Sequence, residues 1–235
     1  MSSTPDLTVI VINLGRGSRL AACLESIAGQ RHVAAQIVIV DGSGTDATRA
    51  ALAEYGDRVT VVTAPPAASH FAAANLGLAS ARGEWVLFLQ PEDRVVGDMV
   101  LSECITWTRK TEAGVISGEV AYDDGRVIKL RSHPNALAKD FVPPAGTLYR
   151  RSLFEENGGF DETLPELAAY EFNLRLWKGR VRFKPIPIRV VASARRHTFS
   201  WAAAREEMRA RHRYFSRGRC LGADLGSIVR GLLRR

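Results

Sequence analysis

Apolar and polar positions alternate along the chain in a way that predicts strand, helix, strand through its first ninety residues. LTVIVI (7–12) and QIVIV (36–40) are unbroken apolar runs, as expected of strands covered on both faces. Between them, SRLAACLESIAGQ (18–30) carries Leu20, Cys23, Leu24 and Ile27 at helical spacing, with Ser18 as a candidate N-cap. Thr45 or Asp46 is placed to cap a helix through 47–56, which Gly56 closes. RVTVVTA (58–64) predicts a third strand, HFAAANLGLASARG (70–83) a third helix, and EWVLFL (84–89) a fourth strand that runs into Gln90-Pro91-Glu92-Asp93. This rhythm predicts a parallel sheet with right-handed crossovers.

The second half is less regular. Residues 95–110 have a helical pattern, and 113–122 and 126–131 read as strands around an Asp123-Asp124-Gly125 turn. Residues 141–162 read as loop, strand and short helix ended by Gly158-Gly159. A helix over 166–180 has Leu167, Tyr170, Leu174 and Trp177 along one face, and 182–197 reads as extended.

Composition narrows the class. With 235 residues and 46% hydrophobic content, the chain can bury a substantial core, which excludes a disordered protein. No apolar run approaches the roughly 18 residues a membrane span needs, and MSSTPDL lacks the features of a signal peptide. Cys23, Cys104 and Cys220 are scattered, offer no disulfide or metal spacing, and are expected to be buried thiols in a reducing, cytoplasmic setting. The net charge of +7 is uneven: residues 195–235 hold 11 Arg and 3 acidic residues, so the rest is near neutral. The basic region divides the chain into a body, 1–200, and an extension, 201–235. Within the extension, 202–215 reads as a charged helix. Residues 220–235 align Leu221, Leu225, Ile228, Val229, Leu232 and Leu233 on one stripe with arginines largely off it, a pattern suited to an anionic membrane surface or to packing on the body. No nucleic-acid motif accompanies the charge, so no nucleic-acid partner is expected.

In open α/β sheets, ligands bind beyond the carboxyl ends of the strands. Asp41, which ends the second apolar run in a Gly/Ser/Thr/Asp loop, therefore marks the expected nucleotide position.

Several ordered blocks resemble the family 2 glycosyltransferases. They are VIVINLGR (9–16), CLESIAGQ (23–30), VDGSGTDAT (40–48), ANLGLASARGEWVLFLQPED (74–93) and AGTLYRRSLFEENGGFDETL (145–164). The resemblance covers about residues 7–200. It implies a GT-A, Rossmann-like α/β fold, with a mostly parallel central sheet flanked by helices and followed by the basic helical tail. It also implies inverting transfer of a sugar from a nucleotide-diphosphate donor to an acceptor hydroxyl on a sugar, a lipid-linked molecule or a small molecule. The products would be surface polysaccharides, glycolipids or small glycosides, made on the cytoplasmic side or peripherally at the inner face of the plasma membrane.

By the same resemblance, Asp41 reads the nucleotide base. Asn13, Leu14 and Arg16 flank it, and Asn75, Gln90 and Gly159 border the donor and acceptor. Gln90-Pro91-Glu92-Asp93 stands at the family's Asp-x-Asp motif, so Glu92 and Asp93, with His197, are the expected ligands of Mg²⁺ or Mn²⁺ on the leaving diphosphate. Glu171 is the expected catalytic base, with Glu166 as an alternative carboxylate. Trp177, Phe199 and Trp201 are candidates for an acceptor groove or for core packing. Four positions depart from the family pattern: Leu14 replaces an aromatic, Ala74 an Arg, Gln90 an Asp and Tyr170 an acid. That leaves a second reading open, a glycosyltransferase-like scaffold without turnover.

Overall fold

The computed structural model describes residues 4–15, 19–130 and 142–194, together with Glu206, Ala210, Arg213 and Tyr214. One sheet of nine strands organises them. Its order is β3-β2-β1-β4-β8-β6-β9-β5, with β7 on β6. β1 (Leu7–Asn13), β2 (Ala35–Asp41), β3 (Val59–Thr63) and β4 (Trp85–Leu89) are mutually parallel, as the alternating pattern predicts. The crossovers are α1 (Leu20–Ala28), α2 (Asp46–Ala53) and α3 (His70–Ala79). All seven residues of β1 are buried, because helices cover both its faces and strands flank it on both sides. Each buried Val or Ile there contributes about 1.5–3 kcal/mol relative to exposure.

Beyond β4 the sheet is mixed. β8 (Thr147–Arg150) runs antiparallel to β4 and to β6 (Val115–Tyr122), β9 (Phe183–Ser193) is parallel to β6, and β5 (Asp93–Val95) is antiparallel to β9. β7 (Val127–Ile128) closes the hairpin across the Asp123–Gly125 turn. α4 (Val100–Arg109), α5 (Ser152–Asn157) and α6 (Ala168–Lys178) complete the layers.

Two local expectations change. The helix expected from residue 95 begins at Val100, because Val95 belongs to β5, where it pairs with Val191, and Gly97 at φ +71° breaks the chain direction. The helix expected to reach Gly56 stops at Ala53, and Gly56 opens a short 3-10 turn. Thr45 is the N-cap of α2, its hydroxyl accepting from Thr48 N at 3.2 Å. Ser18 lies outside the described residues. α1 starts after Arg19 without a side-chain cap. Burial raises the thiol pKa of Cys104 to about 12 and pushes that of Cys23 further up, so both are inert core groups; Cys220 lies outside the described residues.

The helix-side core joins α3, β4, β8, α5 and α6 through an aromatic cluster. Phe154 stacks on Phe172 with centroids 4.5 Å apart, and Phe160 meets Phe71, Phe88, Phe154 and Phe172 at 5.1–5.4 Å. This cluster fixes α6, and hence Glu171, against the sheet.

Candidate functional site

The register brings Asn13, Asp41 and Thr63 side by side where β1, β2 and β3 end, with Leu89 of β4 opposite Val11. Gln90 to Asp93 therefore leave the sheet at the same edge. α6 reaches it too. Residues just after α6 lie against the start of β6: Val181 would meet a Cβ at Gly114 at 2.9 Å. β6 starts level with the beginning of β4, through Val115↔Tyr149 and Val86↔Tyr149. The N-terminal turn of α6, which carries Glu171, is thus directed to the opposite edge, where the parallel strands end.

At the tip of β1 the side chain of Asn13 is fully buried. Its Nδ2 reaches Asp41 Oδ1 at 2.9 Å and the hydroxyls of Ser43 and Thr48 at 3.2 Å. Ser43 adds its N–H (3.0 Å) and its hydroxyl (2.7 Å) to the same Asp41 oxygen. All described hydrogen bonds to this carboxylate therefore fall on Oδ1, and none of them on Oδ2. The Asn13 Oδ1 is buried with no described partner. Leu14 is half-buried and lies across Gly42, where a Cβ would come within 2.8 Å of Leu14 Cδ2. Arg16 lies outside the described residues.

The loop after β4 is a closed turn. Gln90 N donates to Asp93 Oδ2 at 2.9 Å, Asp93 N donates to Gln90 O at 2.9 Å, and Asp93 is fully buried. Asp93 therefore holds the loop's shape. Glu92 is half-buried, and its carbonyl accepts Ala194 N at 3.0 Å, so the end of β9 clamps the loop. Gln90 Nε2 lies 3.3 Å from His70 Nε2. His197 lies outside the described residues. Among the described residues no three His, Cys, Asp or Glu side chains cluster around a cation position.

Asn75 and Gly159 are brought together. Asn75 Nδ2 donates to Phe160 O (3.0 Å) and Glu162 Oε1 (2.8 Å), and Phe160 N donates back to Asn75 Oδ1 at 2.9 Å. Asn75 thus ties α3 to the turn before α6. A Cβ on Gly159 would sit 2.6 Å from Asn75 Oδ1, so close approach, rather than dihedral freedom, requires glycine there. The left-handed conformation belongs to its neighbour Gly158, at φ +78°.

Glu171 is 2% exposed, in the first turn of α6. Arg175, one turn on, donates to its Oε2 at 2.8 Å and also to the carbonyls of Asn157 and Gly159. Tyr214 donates its hydroxyl to Oε1, and Arg213 Nη1 stands 3.8 Å from Oε1 and 3.1 Å from Asp161 Oδ2. Burial, then the bond to Glu171, raises the Tyr214 pKa. The hydroxyl of Thr163, and after it Arg213, lowers that of Asp161. Glu166 is exposed, and its backbone N–H is held by Glu206 Oε2 at 3.0 Å. Trp177 packs at the rim of a small apolar patch with Tyr170, Leu174 and Ala210, whereas Phe199 and Trp201 lie outside the described residues. Arg175 was signalled by its i, i+4 spacing from Glu171. Glu206, Arg213 and Tyr214, 35, 42 and 43 residues beyond Glu171 in sequence, carried no such signal.

Two surface grooves, of about 420 and 740 Å³, open at the other edge, where the strands begin. They are lined by residues such as Trp85, Arg109 and Arg150, and Gln36, Arg58 and Arg82. Neither contains a candidate residue.

Residues 8–165 match the sequence profile of Glycosyl transferase family 2. The chain belongs to that family. It is 26% identical over 189 residues to a PGL/p-HBAD biosynthesis glycosyltransferase of Mycobacterium bovis, covering 74% of this chain and 70% of that one. It is 30% identical over 99 residues to the succinoglycan biosynthesis protein ExoO of Rhizobium meliloti, covering 42% of this chain but only 28% of ExoO. Among solved structures, residues 1-349 of S. aureus TarS in complex with UDP-GlcNAc superpose with a TM-score of 0.71 at 17% identity, over 87% of this chain and 64% of that TarS fragment. The GT-A fold anticipated from sequence is thus shared with TarS.

Proposed function

We propose that this family 2 domain transfers a sugar from a nucleotide-diphosphate donor to an acceptor hydroxyl in a single inverting displacement. The observation that carries the reading is the convergence of Asp41, the Gln90–Asp93 loop and the N-terminal turn of α6 on one edge of the sheet. Asp41 Oδ2 accepts an N–H group of the nucleotide base, and Asn13, buried behind it, holds the Asp41 carboxylate in place. Leu14 gives that base an apolar side without ring stacking. Glu171 takes the acceptor proton as the acceptor oxygen bonds to the anomeric carbon. The bond to the diphosphate oxygen breaks on the opposite face, which inverts the centre.

The donor set fits a hard divalent cation. Mg²⁺ is commonly bound by one or two carboxylates plus substrate phosphates, without an all-protein cage. Glu92, assisted by the Gln90 amide oxygen and by His197, would hold it, and its charge would stabilise the leaving diphosphate. Asp93, closed on Gln90 N, serves the loop instead. The relatives support products of the polysaccharide and glycolipid class, with a sugar, lipid-linked or small-molecule acceptor.

A calorimetric titration tests the donor half. Asp41→Ala is expected to weaken UDP or GDP binding about tenfold or more, the equivalent of one charge-assisted hydrogen bond, and Mn²⁺ is expected to strengthen binding to the wild-type protein. Equal affinity in Asp41→Ala would remove Asp41 from base recognition. The scaffold reading draws on the four altered positions and on the burial of Glu171. Nucleotide binding with no sugar transfer or donor hydrolysis across a donor panel would favour it.

The extension is proposed to rest peripherally on the anionic inner face of the plasma membrane through residues 220–235, which lie outside the described residues. No described helix is long and apolar enough to cross a membrane. Deleting 220–235 is expected to abolish co-sedimentation with phosphatidylserine vesicles at low salt. Unchanged sedimentation would refute that attachment.

A further inference from the structure

A general base must come within about 2.6–3.2 Å of the proton it removes. Glu171 does not offer that access as it stands. Its Oε2 is held by Arg175, its Oε1 accepts the Tyr214 hydroxyl, and the side chain is 2% exposed. The Tyr214 phenol donates to Oε1 in the same sense as an acceptor alcohol must.

The four described residues of the extension divide into an anchored pair and an outer pair. Glu206 is buried, and its Oε2 takes the backbone N–H groups of Glu166 and Leu167, each at 3.0 Å, just ahead of α6. Ala210 is 1% exposed and belongs to an apolar patch with Leu130, Val142, Tyr170 and Leu174. By contrast, the Arg213 side chain is 52% exposed, and its pair with Asp161 is a solvated surface bridge, a weak restraint. Tyr214 is half-buried, packed at the edge of that patch with Lys178 over its ring at 5.6 Å. All four are helical. The outer pair is thus held less firmly than the inner pair.

We propose that Arg213 and Tyr214 form a gate on the acceptor side, in which the Tyr214 hydroxyl occupies the place on Glu171 Oε1 that the acceptor hydroxyl takes. The acceptor enters by displacing the phenol, and the glutamate is masked until it does. This rests on Glu171 being the base of the transfer proposed above, and the two can fail separately.

Two measurements on the full-length protein test it. The first is carbodiimide-driven coupling of glycine ethyl ester to carboxylates, followed by mass spectrometry, with exposed Glu162 as internal reference. Glu171 is expected to be labelled about fivefold faster in Tyr214→Ala, the factor that one net hydrogen bond represents. The second is nucleotide release from UDP-glucose, UDP-GlcNAc and GDP-mannose with water as acceptor. Tyr214→Phe, which keeps the ring and loses the hydroxyl, is expected to release nucleotide severalfold faster at unchanged donor affinity. Adding Glu171→Gln should abolish the gain.

Unchanged labelling of Glu171 in Tyr214→Ala would overturn the gate. So would slower release in Tyr214→Phe with a displaced pH profile, because Tyr214 would then be holding the base in position. Faster labelling without release from any donor would uphold the gate and count against the transfer chemistry. If the Tyr214 variants do not fold, Arg213→Ala, which removes only the solvated bridge beside the phenol, is expected to raise both the labelling of Glu171 and nucleotide release by smaller factors, and no rise in either would overturn the gate.

Discussion

Replacing Glu171 by Gln is expected to lower sugar transfer by about 10²–10⁴-fold, the range contributed by a positioned general base, with nucleotide-sugar affinity unchanged. Glutamine matches the shape of the carboxylate but cannot take the acceptor's proton. The proposed donor contacts lie on β1, β2 and the loop after β4, and none of their described hydrogen bonds reaches α6. The variant should fold. Arg175 still donates to the carbonyls of Asn157 and Gly159, so its guanidinium remains hydrogen-bonded when the anion is gone. Stability should fall by about 1–3 kcal/mol for the lost charge-assisted bonds, visible as a lower melting temperature. Single-turnover transfer and a nucleotide-binding isotherm on the same preparation check both halves. Transfer within tenfold of wild type would remove Glu171 from the chemistry and direct attention to exposed Glu166.

What was legible in the sequence follows from how local each cause is. β1 and β2 were legible because a strand buried on both faces needs an unbroken apolar run, and the chain has two. The Thr45 cap and the turn at Gly158 were legible because capping and positive φ depend on one or two residues. Asp41 was legible as a strand-end carboxylate, but the division of labour between its oxygens was not. That division depends on Asn13, Ser43 and Thr48 converging across two strands and a helix. Asp93 was singled out by its place in a motif, but the bond from Gln90 N to its Oδ2, which shapes the loop, was not legible there. Val95, the last residue of β5, was read as the start of a helix because a three-residue strand leaves almost no periodicity, and its partner β9 lies about a hundred residues away. Similarly, Glu171 was legible from its neighbours in the chain. Tyr214, forty-three positions on, could be found only once the extension had folded back over α6.

The largest loss of stability is expected at a residue outside the site, Gly83, because the whole strand edge is built on its missing side chain. A Cβ there would come under 3.0 Å from three backbone atoms, Leu7 C, Leu7 Cα and Thr8 N. Backbone cannot rotate away as a side chain can. β1 cannot shift either, since it is paired on both sides, with β2 and with β4. The contact is also fixed by hydrogen bonds: Gly83 N donates to Thr8 Oγ1 at 2.8 Å, and Arg151 Nε donates to Gly83 O at 3.0 Å. Overpacking a core by one methyl against side chains destabilises by about 1–3 kcal/mol, and a clash with a central strand should exceed that. Gly83→Ala is therefore expected to lower the melting temperature by about 6–12 °C, at 2–4 °C per kcal/mol for a chain of this size, or to prevent folding. Gly125→Ala separates the two ways a glycine can matter. It sits at φ +83° with nothing within 4 Å of the added carbon, so only dihedral strain of about 1–2 kcal/mol opposes it. Comparing the two melts decides the point. If Gly83→Ala were no less stable than Gly125→Ala, the close approach of the α3–β4 loop to β1 would be wrong. The register that aligns Asn13, Asp41 and Gln90 at the far edge would then be wrong with it.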